Sequence, residues 1–283
     1  MGRAEDGRKA LLDMLGEAGR APVDDIIAEL TYCKIGERPI VPLAIVAARP
    51  EAFTDRLLAE LDLSPEDVEQ RISSAPDAHH AYFLHTFALY FLALWEEPRA
   101  FPLITAYLAR DPELAAAQLD DMATDHLPAI LARTFGGGDF SPVQALARQA
   151  SGDFHLRAAA LRGMHGAVLM GKLPRSVMET ALQEAFESCM SSHDAGFGTE
   201  LAIAMAETQA PAMRTAIKRL RDAGLVVEDV IGPQDVDAIF AARPDEISEL
   251  LLRREDFDSL LDIIFDWSWF HITDPSELDT FQD

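Results

Sequence analysis

The chain has 283 residues, is 49% hydrophobic and 25% charged, and carries a formal net charge of −24. That composition supports a sizeable packed core and excludes a disordered chain. A surface this acidic repels nucleic acid and anionic lipid at long range, so it favours basic protein partners or simply solubility.

The N-terminus leads into an amphipathic helix without an apolar signal-peptide core, so no leader is expected. The first helix is expected over Glu5 to Ala18, followed by Asp24 to Tyr32, whose inward face carries Ile26, Ile27 and Leu30. Cys33 lies just beyond, far in sequence from Cys189, and the two match no CxxC or zinc spacing. Reduced, buried thiols in a cytoplasmic protein are expected. Pro39 and Pro42 frame a short segment, and Glu51 to Leu61 follows with Phe53, Leu57, Leu58 and Leu61 inward. Ser64-Pro65-Glu66-Asp67 is a strong helix start: a Ser cap, a Pro at the first position and acids at the positive helix end.

Asp77 is expected to cap a helix from Ala78 to Trp95. Within it the longest apolar run of the chain, Ala81 to Trp95, is broken by His85 and Thr86 and falls short of the ~20 residues of a membrane span. It reads as a core helix, and no membrane association is expected. Pro98 and Pro112 open further helices, and Asp125 is expected to cap another that ends in Phe135. Gly136-Gly137-Gly138 follows a helix and lacks a GK[ST] ending, so it reads as a linker and not as a phosphate loop. Asp153 starts a helix with Leu156, Ala160, Gly163, Met164 and Ala167 on one stripe, and Pro174 opens its partner. Helices are then expected over Thr199 to Glu207 and Met213 to Ala223, with Pro233 and Pro244 opening two more. Strand signals are nearly absent.

The unit is a helix pair repeating on the order of every forty residues, the period of HEAT and armadillo arrays. The expected fold is all-α: an α-α superhelix of stacked HEAT-like helix pairs. One domain is expected over residues 1–255, followed by an acidic, aromatic C-terminal cap or tail over 256–283. Low Lys content, with only Lys9, Lys34, Lys172 and Lys218, points to a GC-rich bacterial genome.

Several runs between Ala81 and Ala241 are distinctive. They are Trp95 to Ile104, Asp125 to Ala132, Phe135-Gly136-Gly137, Leu156 to Leu161, Gly171 to Arg175, Asp222 to Val226 and Asp235-Val236. In these the chain resembles a bacterial family named only as domain of unknown function 1186. The resemblance implies a HEAT-like helical fold and supplies no activity or catalytic residues. Members often carry a Cys-rich C-terminal metal-binding motif; the cysteines of that motif are missing from this chain.

Four sets of residues are weighed for chemistry or binding. Asp121, Asp125 and His126, beside Asp120, form the densest carboxylate and imidazole cluster, where Asp121 and Asp125 share a face if one helix runs through both. The plainer reading is a helix cap on a solvated turn. Asp77, His79, His80 and His85 do not match the i, i+4 spacing of a helical His pair. Arg214, Lys218 and Arg221 make a basic stripe on one helix face, able to grip an acidic partner or nothing but solvent. Trp267, Trp269 and Phe270, with Phe265, either anchor a partner or close the end of the array.

No GxSxG, HExxH or nucleophilic Cys motif occurs, and no cofactor is expected. The leading expectation is a non-enzymatic protein-binding scaffold. The alternatives are a metal-dependent protein or enzyme using the Asp121/Asp125/His126 region, and an acidic nucleic-acid mimic that occupies a basic partner.

Overall fold

In the computed structural model, residues 11–149 and 152–252 are described. They form two compact units that divide between Trp95 and Glu96. The fold is all-α: besides a helical segment over residues 11–15, the described residues hold sixteen α-helices and one two-stranded ribbon.

In the first unit, residues 11–15 are helical and a 3-10 turn covers Ala18–Arg20. Then come α1 (Val23–Thr31), β1 (Tyr32–Lys34), α2 (Ile40–Ala48), α3 (Pro50–Leu61), α4 (Pro65–Ser73), β2 (His80–Tyr82) and α5 (Leu84–Leu94). The start of α4 closes a capping box: Ser64 Oγ accepts from Asp67 N, and Asp67 accepts from Ser64 N. Helix α5 is apolar on every side and buried accordingly, with Phe87, Tyr90 and Phe91 fully enclosed and α3 packed against it. Arg49 Nη1 donates to the carbonyls of Gly19 and Ala21 and so ties the 3-10 turn to the α2–α3 junction.

The ribbon departs from the sequence expectation. β1 and β2 pair antiparallel, Tyr32 opposite Tyr82 and Lys34 opposite His80. The helix expected from Ala78 therefore begins only at Leu84. Asp77 caps the preceding turn instead: its Oδ1 accepts from His79 N and lies 2.8 Å from His80 Nδ1. Three residues are too few to show period-two alternation, and the pairing comes from a distant strand, so local propensity is overridden. Tyr82 donates to the Glu60 carboxylate, whose pKa burial pushes up.

The second unit contains α6 (Ala100–Arg110), α7 (Pro112–Leu119), α8 (Asp121–Asp125), α9 (Leu127–Thr134), α10 (Ser141–Ala147) and α11 (Phe154–Leu169). It continues with α12 (Arg175–Ser192), α13 (Ala195–Glu207), α14 (Pro211–Asp222), α15 (Pro233–Ala241) and α16 (Pro244–Leu252). The organising element is α11, which packs against α8, α9, α10, α12, α13 and α16. Its small residues allow this. A Cβ on Gly163 would meet Leu131 Cβ at 3.0 Å and the Pro128 carbonyl at 3.3 Å, so α9 approaches to backbone distance. Gly198 on α13 is tighter still, with an added Cβ only 2.2 Å from the Leu225 carbonyl. Helix α16 returns to pack on α9 and α11, so these neighbours do not simply follow chain order.

The helix expected to follow an Asp125 cap and end in Phe135 is present as α9, but Asp125 is not its cap. Asp125 ends α8, and His126 precedes α9, which carries Pro128 in its first turn. Lys172 Nζ donates to the carbonyls of Ala132 and Arg133, placing a cation on the negative end of α9. Both cysteines are free and buried. Burial pushes the Cys33 thiol up to about 12 and the Cys189 thiol up to about 11, far from reactive thiolates. No helix among the described residues is long and apolar enough to cross a membrane.

Candidate functional site: an acidic groove in the second unit

Four helices of the second unit begin at one edge, and each brings an acid. Glu113 sits in the first turn of α7, Asp121 opens α8, Asp153 caps α11 and Asp194 caps α13. Acids collect at helix starts because the first N–H groups lack partners and the helix dipole is positive there. Converged, these starts line an open groove of about 680 Å³ together with Asp120. Among the described residues, no Lys or Arg lines it. Phe154, at the start of α11, adds an aromatic ring that is 36% exposed, with the His155 ring centroid 3.9 Å away.

The acids fall into two groups. Asp153 Oδ1 accepts from Leu156 N at 2.9 Å, and Asp194 Oδ1 accepts from Phe197 N at 3.0 Å, so both serve their own helices. Asp194 also receives Arg157 Nη1 on its other oxygen at 2.7 Å. The Arg157 side chain is fully buried, its guanidinium carbon 3.5 Å from the Phe197 ring centroid. Arg157 therefore cross-links α11 to the start of α13. Glu113, Asp120 and Asp121 have carboxylates engaged by no donor among the described residues. These three are available to a ligand. Unpaired carboxylates beside an aromatic face suit a guanidinium or an ammonium group.

Asp120 holds this edge in an unusual backbone conformation, φ 47° and ψ −134°. A side chain there is strained by roughly 1–3 kcal/mol, a strain glycine lacks. After the added chain entropy of glycine, Asp120→Gly is expected to stabilise the protein by about 1 kcal/mol, or roughly 2–4 °C in melting temperature. A melting temperature at or below that of the wild type would refute the strain argument.

Comparison with known proteins places the chain. The family model described as "Protein of unknown function (DUF1186)" matches residues 21–273. The chain belongs to the DUF1186 family. A relative described as an uncharacterized protein of Chlamydia muridarum (strain MoPn / Nigg) is 23% identical over 243 residues, covering 86% of this chain and 90% of that protein. No solved structure matches significantly.

The other candidate residues of this DUF1186 member fall elsewhere or are engaged. Asp121 and Asp125 do lie on one short helix with His126 just beyond it. Yet among the described residues no group of three or more His, Cys, Asp or Glu is placed to hold a metal ion. In the basic stripe on α14, Arg214 pairs with Asp237, Lys218 with Asp222 at 2.6 Å, and Arg221 with Glu228 at 2.7 Å. The recess there, about 360 Å³, thus carries its own three counter-charges. Trp267, Trp269 and Phe270 lie outside the described residues. Sequence reasoning missed Glu113, Phe154, His155 and Asp194 as a set. Each looks local on its own, and the only available signal was the recurrence of acids at helix starts.

Proposed function

We propose that this chain is a non-enzymatic helical-repeat scaffold whose groove holds a basic segment of a partner protein. The observation that carries this reading is the groove itself, with three uncommitted carboxylates, an exposed aromatic residue and, among the described residues, no Lys or Arg in its lining. The net charge of −24 would draw a basic partner toward it and raise the association rate at low salt. The succession of α11, α12, α13 and α14, each packed on the next, supports a HEAT-like stacking of helix pairs.

The test is fluorescence anisotropy with a labelled Arg-rich peptide. Neutralising the groove with Glu113→Gln, Asp120→Asn and Asp121→Asn is expected to weaken binding about tenfold, from three ion pairs worth roughly 0.5 kcal/mol each. A control with the same charge change, Asp25→Asn, Asp62→Asn and Glu66→Gln on exposed positions of the first unit, should leave binding nearly unchanged. Equal losses in the two triple variants would show that only net charge matters, and the groove reading would fall.

A further inference from the structure

Helix α8 forms one wall of the groove, contributing Asp121, Ala123 and Thr124 to its lining. It is only five residues long, well short of the ~12–15 at which a helix begins to hold itself. Non-helical backbone bounds it on both sides: Asp120 at φ 47°, ψ −134° and His126 at φ −123°, ψ −29°. Met122 and Ala123 are its buried apolar anchors.

Arg162, projecting from α11, ties this wall to the rest of the unit. Its Nε and Nη2 grip both carboxylate oxygens of Glu207 on α13, at 3.1 and 2.9 Å. Its remaining Nη1 donates to the Thr124 carbonyl on α8 at 3.4 Å. Glu207 is 2% exposed, so the fork is fixed in the core while its third arm reaches the groove wall. A planar guanidinium fills all three positions at once; a lysine ammonium cannot span them.

We infer that α8 is a hinged wall of the groove, pivoting about Asp120 and latched shut by the Arg162–Glu207 fork. Release of the latch carries Asp121 away from the other acids and widens the groove; closure restores the set. The inference rests on the groove as the working site, but its test needs no partner.

Hydrogen–deuterium exchange on the free full-length protein decides it. Arg162→Lys keeps a positive charge beside Glu207 yet cannot also hold Thr124. The pair Arg162→Met with Glu207→Leu removes the latch without stranding a buried charge, which guards against a variant that fails to fold. In both, amides of residues 121–126 are expected to exchange about tenfold faster, the loss of roughly one net hydrogen bond, while those of α13 stay as in the wild type. Exchange in 121–126 that is unchanged, or that rises only as much as in α13, would overturn the hinge. If 121–126 loosens selectively but the Arg-rich peptide ignores the groove variants, the hinge stands and the peptide-binding reading fails.

Discussion

Asp194→Ser is expected to destabilise the second unit by about 3 kcal/mol, the range found when one partner of a buried ion pair is removed. The substitution isolates the charge. Serine can still accept from Phe197 N and cap α13, so the capping contribution of Asp194 is largely kept. What is lost is the counter-charge of Arg157, a fully buried side chain. The Phe197 ring at 3.5 Å cannot replace a carboxylate. Arg157→Met should cost clearly less, because Asp194 is 28% exposed and can be hydrated when its partner is gone. Urea unfolding followed by circular dichroism gives both values. Asp194→Ser costing no more than Arg157→Met would show that the buried guanidinium does not depend on this pair.

Stability is expected to fall between pH 6.5 and about 4 because of two buried histidines, one in each unit. Burial drives His85 from 6.5 down to about 4, against the hydrogen bond it donates to the Glu60 carbonyl. Burial does the same to His165, helped by Arg175 and Arg162 nearby. A base whose pKa drops on folding is neutral in both states above pH 6.5. Below 6.5 the unfolded chain takes up a proton that the native state refuses, and the loss levels off below about 4. At pH 5 each histidine is then expected to cost about 2 kcal/mol relative to pH 7. Glu60 and Glu207, both pushed up by burial, act in the opposite sense as the pH falls. The comparison is therefore made by difference. His165→Leu should remove about 2 kcal/mol of the stability lost between pH 7 and 5, read from urea titrations at the two pH values. An unchanged pH dependence would refute the assignment.

Much of the helical framework was legible because its punctuation is local. Pro65, Pro112, Pro233 and Pro244 each open a helix, as fixed φ and a missing N–H allow. Asp153 caps α11, and the stripe from Leu156 to Ala167 is buried as its 3.6 period demands. Arg157, within the same run, meets Asp194 at the start of α13, a pairing across 37 residues that no local pattern marks. The ribbon was not legible, since three-residue strands carry no period. The groove was only partly so. Asp120, Asp121 and Asp153 could be recognised as turn and cap residues, but nothing local distinguishes a cap facing solvent from one facing three other helix starts.

By itself, the sequence determined that the chain is all-α, which prolines and caps open several of its helices and which stripes are buried, because caps, prolines and hydrophobic period act within a few residues. Only the tertiary structure decided which acids share a groove and which are spent on caps. It also decided that the basic stripe of α14 meets its own carboxylates and that Arg162 joins three helices. Those outcomes depend on packing between residues far apart in the chain, set by the small side chains of α11 that let its neighbours close in.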